Sequence, residues 1–179
     1  PEMEKMRVLF PVLQQEENTA LKAAVITSIN TWLLYALRSM PNIESADVCL
    51  PDRTLFAIAP YLTAEKGKLH FYVREPMTFF REKVRIYDLF IIGITDIYSL
   101  AMHRYHTEEM LETVKNSMKD DGIFMMMLPE PEGYSKEAVA GLQASIIATV
   151  ERVFPNVLFS AGRVDILLAS ENRKLTLFP

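Results

Sequence analysis

Residues 88–94 read DLFIIGI, the most apolar run in the chain, and residues 123–128 read IFMMML. Neither run alternates apolar with polar residues, so neither has a face to offer to water. Short runs of this kind, rich in Ile and Phe, are strands buried on both faces, as in parallel sheets. Between them, residues from about Thr107 to Met118 carry helical spacing, with Glu108 and Glu109 in the first turn, where the helix dipole favours acids. Asp120-Asp121-Gly122 then supplies a turn into the second run. Strand, helix and strand make one βα unit.

The same unit recurs outward from it. Lys22 to Ser28 (KAAVITS) reads as a first buried strand; Asn30 stands where an N-cap belongs, ahead of TWLLYALRSM, and Pro41 closes that helix. Ser45 to Leu50 is a second strand, followed by a helix over Arg53 to Ala59 that Pro60 stops. Lys68 to Val73 is a third, followed by a short helix after Pro76. An amphipathic helix runs from about Lys136 to Val153 and ends at Phe154-Pro155. Val157 to Ser160 and Val164 to Ala169 close the chain as a hairpin around Ala161-Gly162. Five βα repeats predict a parallel sheet with helices on both faces, and the hairpin predicts seven strands of which only the last is antiparallel.

Composition bounds the function. Half of the 179 residues are hydrophobic, enough to fill a core, and the net charge is −4 with 19 scattered Lys and Arg. That balance gives no basic footprint for nucleic acid. No run reaches the length of a membrane-spanning helix. The single cysteine, Cys49, sits in apolar ADVCL and reads as a small buried hydrophobe. Met125, Met126 and Met127 read as core filler, and Trp32 and Tyr98 as residues packed on the sheet. His103 and His106 lie three apart without a further soft ligand, which predicts two exposed histidines and no metal. The first 20 residues, with apolar MRVLFPVL and polar QQEEN, read as an N-terminal extension or the stub of a preceding segment; residues 21–179 form the α/β domain.

Three blocks resemble one family. IYDLFIIGITD is similar to the spermidine synthase strand that reads roughly YDVIIVDLPDP. HRYHTEEMLETVKNSMKDDGIFMMMLPEP resembles that family's NRLYTxEFYxxLxxxLxPGGxxxxQxxSP, and VFPNVLFSAGRVDILLAS resembles its closing VFPxVxxxxG…xxLxLAS. Their order and spacing cover about four fifths of the chain. The resemblance implies a three-layer, methyltransferase-like (Rossmann-like) sheet. It also implies an aminopropyltransferase or methyltransferase ancestor that used S-adenosylmethionine or its decarboxylated form. The family's N-terminal β-domain, which helps it form tetramers, has no counterpart here.

Carried over position by position, the resemblance finds the family's site residues largely replaced. The glycine-rich first loop is Thr27-Ser28-Ile29-Asn30-Thr31, without a glycine. The carboxylate that holds ribose hydroxyls becomes Leu50, while Asp52 keeps a later acid that is also an ordinary helix N-cap. The Gly-Asp pair that meets adenine becomes Arg74-Glu75, leaving Glu75 as a partial substitute or as an acid of the helix start. The catalytic carboxylate becomes Gly93. Asp96 matches the second acid of that loop, either as a base for an active transferase or as a structural loop residue.

The expectation is a degenerate member that binds neither cofactor and acts by binding or assembly. Asn30, Asp52 and Glu75 mark the cleft, and Asp96 is the catalytic candidate if activity persists. An active transferase and a small-molecule sensor using a residual cleft are the alternatives. A weak homodimer and a cytoplasmic location, as a soluble domain of a larger or membrane-attached protein, complete the expectation.

Overall fold

The architecture is known from a computed structural model, which describes residues 19–28, 30–51, 67–94, 103–128, 135–161 and 165–176. The strands are β1 (Leu21–Ile26), β2 (Ile43–Leu50), β3 (Leu69–Val73), β4 (Tyr87–Ile92), β5 (Met118–Met127), β6 (Asn156–Ser160) and β7 (Ile166–Ser170). They form one sheet in the order β3-β2-β1-β4-β5-β7-β6. The pairs β1–β2, β2–β3, β1–β4 and β4–β5 are parallel, and β7 runs antiparallel to both β5 and β6. Thus β7 alone opposes the other six, as the hairpin reading predicts. The Ala161-Gly162 turn and the helix expected over 53–59 reach outside the described residues, as does the N-terminal extension over residues 1–18.

Helix α1 (Thr31–Ser39) covers one face, and α2 (Pro76–Arg81), α3 (Glu108–Ser117) and α4 (Lys136–Val153) cover the other. Their starts follow local chemistry. The side chains of Asn30, Glu75, Thr107 and Ser135 each accept a hydrogen bond from an amide of the first turn, satisfying donors that have no partner within the helix. Leu33, Leu34 and Leu37 of α1 pack on Val25, Val48, Ile91 and Met125; Phe80, Leu111 and Val150 pack on Phe90, Phe124 and Met126 on the other side. The three methionines are core residues, and Trp32 is partly buried against the α1 side. Among the described residues, no helix is long and apolar enough to cross a membrane.

Two expectations are corrected. Asp120-Asp121-Gly122 is not a turn ahead of β5 but part of it. Tyr87 pairs with Met118 and Leu89 with Ile123, so six residues of β5 oppose three of β4. The extra residues bulge out, and Gly122 is needed there because a Cβ would lie 2.9 Å from the Lys119 carbonyl and 3.1 Å from that of Tyr87. Beside the bulge, Tyr87 and Leu89 fall on opposite faces of the sheet despite their two-residue spacing. The second correction concerns histidine. His103 is exposed, but the 3-10 turn Arg104–His106 tucks His106 in until it is 9% exposed. No three His, Cys, Asp or Glu side chains among the described residues group as metal ligands.

Candidate functional site

In sheets of this kind ligands sit beyond the carboxyl ends of the strands, where the strand order reverses. Here the reversal falls between β1 and β4, since the chain winds outward to β3 and then returns to the other side of β1. The two strands are stitched together past their last paired residues, with the Gly93 amide donating to the Ile26 carbonyl at 2.8 Å. Thr27, Asn30, Leu33, Leu50, Arg74, Glu75 and Gly93 surround this edge.

Several side chains at this edge are packed into the core. Thr27, Leu33 and Leu50 are each fully buried. The Asn30 amide donates to Thr27 Oγ1 at 3.3 Å, and Asn30 Oδ1 accepts from the Leu33 amide at 3.3 Å, so the Asn30 side-chain oxygen is spent on starting α1. That start lays Leu33 over Gly93. A Cβ added at Gly93 would stand 2.7 Å from Leu33 Cδ2, 3.6 Å from Thr27 Oγ1 and 3.7 Å from Met127 Sδ. Any larger residue at position 93 must push aside a leucine that has no solvent to move into. Leu50, beside Val73 in the sheet, belongs to the same apolar cluster as Leu33.

Glu75 caps α2, and its carboxylate accepts from the Thr78 amide at 2.8 Å and the Thr78 hydroxyl at 3.0 Å. Partial burial pushes this carboxyl up. The hydrogen bonds from Thr78 and Met77, with the nearby Arg104 guanidinium, outweigh it and hold the group below its ordinary value. Cys49 is buried, its thiol pushed up to about 12 by burial, and its Sγ donates to the Arg74 carbonyl at 3.3 Å; it is a core group and no nucleophile. Asp52, Asp96, Ile29 and Tyr98 lie outside the described residues.

Sequence reasoning did not anticipate two features. The contact between Leu33 and Gly93 joins residues sixty positions apart, and its signal in the sequence is the glycine at the end of an otherwise bulky strand. The other is a polar cluster midway along the sheet. Tyr87 Oη donates to Asp47 Oδ2 at 2.6 Å, and His70 Nδ1 lies 3.5 Å from Asp47 Oδ1. Burial, then the bond to Asp47, pushes the Tyr87 hydroxyl well above its ordinary value; Tyr72 is raised for the same reasons.

The strand order, the single reversed strand and the helices on both faces define a methyltransferase-like α/β fold. Among solved structures the chain is similar to a spermidine synthase in complex with the transition-state analogue AdoDATO, with a TM-score of 0.76 at 17% identity. It is similar also to spermidine synthase from Thermotoga maritima, with a TM-score of 0.74 at 18% identity. In both comparisons the match covers 96% of this chain and 61% of the other. Human methyltransferase-like protein 13 in complex with SAH matches at a TM-score of 0.76 and 15% identity, over 97% of this chain and 85% of that one. The sequence matches no family model and no curated protein.

Proposed function

We propose that this chain is a non-catalytic, methyltransferase-like domain resembling spermidine synthase, whose cofactor and catalytic sites have degenerated and which acts by binding or assembly. The observation that carries this reading is the seat of Leu33 on Gly93. In the resemblance, position 93 is where the catalytic carboxylate belongs, and the space its side chain would need holds a buried leucine. Leu50 adds to it, since ribose hydroxyls find no acceptor on a buried aliphatic side chain. Each lost hydrogen bond to a charged group is worth about 1.5–3 kcal/mol, so losing two weakens nucleoside binding by roughly two to four powers of ten. The domain works in the cytoplasm as a weak homodimer or within a larger protein.

Isothermal titration with S-adenosylmethionine, its decarboxylated form and the related thioether nucleoside tests this. The reading expects no saturation below about millimolar ligand. Micromolar binding of any of the three would sink it and make Asp96 the candidate base of an active transferase, in which case Asp96→Asn should stop turnover while sparing cofactor affinity.

A further inference from the structure

We infer that the outer edge of β6 is a self-association surface, on which a second copy of this chain lays its own β6 antiparallel and continues the sheet across a twofold axis. The inference rests on the assembly part of the reading above and names the surface that serves it.

The sheet ends in β3 on one side and β6 on the other, and among the described residues each of these strands has a strand neighbour on one side only. The outer backbone donors and acceptors of such a strand are a template for another strand, and proteins guard them with charge, proline or a bulge. The β3 edge is guarded. Lys68 and Arg74 bracket the strand, and the His70 side chain, 55% exposed, lies within it. A copy of β3 laid antiparallel about Phe71 would bring Lys68 against Arg74 of the second copy, and like charges directly opposite each other are destabilising. The β6 edge lacks these guards. Residues 154–161 read FPNVLFSA, without a charge, and Pro155 stands ahead of the strand instead of within it. Pairing with β7 runs from Asn156 to Ser160 without a shift of register, so no bulge turns the edge away. Phe159 is a large hydrophobic left 40% exposed on this strand.

The strand also matches itself. Val157 packs on the α4 side of the sheet and Leu158 on the α1 side, so by alternation Phe159 shares the face of Val157. An antiparallel copy centred on Leu158 sets each Phe159 opposite Val157 of the other copy and Leu158 opposite its counterpart. An aromatic ring against a β-branched side chain is a favourable cross-strand pair, and here it covers the exposed ring. Such a contact closes after two copies, whereas β6 laid on the guarded β3 edge of the next copy would build an open chain. One five-residue strand from each copy makes a contact smaller than the standard interface of about 1,600 Å², so the dimer is weak and reversible.

Sedimentation equilibrium of the full chain from micromolar to millimolar protein tests the inference. A reversible monomer–dimer equilibrium is expected. Phe159→Lys, which places a charge on the open edge at an exposed position, should weaken it about tenfold or more, while Phe159→Tyr should leave it near the parent. Mild oxidation should link Leu158→Cys into a disulfide dimer, because directly opposed residues sit within bridging distance, and should leave Ser160→Cys, away from the axis, unlinked. The buried Cys49 does not compete. A dimer that Phe159→Lys leaves intact, or equal linking at both positions, would overturn the β6 surface and leave association to another face. A chain that stays monomeric throughout would overturn the homodimer as well. Titration of the same samples with S-adenosylmethionine keeps the two readings apart, since micromolar binding contradicts the degenerate site and not the β6 edge.

Discussion

Strand β2 carries two positions that deserve to be set side by side. Leu50 ends the strand at the carboxyl edge, buried and apolar, where the family resemblance calls for a carboxylate. Three residues earlier, Asp47 keeps a carboxylate only 18% exposed, and it is held by a tyrosine from β4 with a histidine from β3 alongside. A carboxylate is costly to bury unless donors surround it. Inside the sheet those donors are protein side chains, so Asp47 is sustained by the fold. At the edge a ligand would have to provide them, and there the chain has a leucine packed on other apolar groups. Position 47, where a charge serves the fold, carries one; position 50, at the edge, does not.

The comparison is broken most sharply at the edge. Leu33→Ala should cost about 3 kcal/mol in urea unfolding, the usual loss for emptying a fully buried leucine site. A loss below about 1 kcal/mol would mean that Leu33 does not fill a closed space. At the other pole, Asp47→Ala should cost about 2–3 kcal/mol, because the buried Tyr87 hydroxyl loses its acceptor. The same denaturation series reports it, and a neutral result would remove the contrast between the two positions.

Gly93→Ala should cost about 1–2 kcal/mol through the displaced Leu33 methyl, and that cost should vanish in a Leu33→Ala background. A double-mutant cycle measures the coupling; additive effects would place the two residues apart.

How much of this was legible follows from sequence distance. Caps and strands are local. Asn30 before TWLLYALRS and Pro76 after an acid announce helix starts, and DLFIIGI announces a buried strand without reference to anything else in the chain. The Asp47 cluster was not legible because it depends on register across three strands and on a bulge that turns Tyr87 away from the face its spacing predicts. The edge was legible in part. The missing acid at Leu50 and the missing glycines of the first loop could be read, but not that Leu33 lies over Gly93.

The smallest expected effect is a dependence on pH. Tyr87 and Tyr72 titrate in the folded protein above the ordinary value of about 10 for tyrosine. Below that value both states are protonated and stability is unaffected. Above it the unfolded chain ionises first, so stability falls as pH rises through the folded-state values, by at most about 1.4 kcal/mol per pH unit for each group. Tyr87→Phe should flatten that decline in unfolding measured between pH 9 and pH 11. An unchanged slope would show that burial and Asp47 do not raise the Tyr87 hydroxyl.

The central claim is that the seat of Leu33 on Gly93 leaves no room for a nucleoside at the switch point. The most direct measurement is the nuclear Overhauser contact between the Leu33 δ-methyls and the Gly93 α-protons, recorded with and without millimolar S-adenosylmethionine. The account predicts a strong contact that the ligand leaves unchanged. Loss of that contact on adding the ligand, with new contacts from Leu33 to the nucleoside, would contradict it.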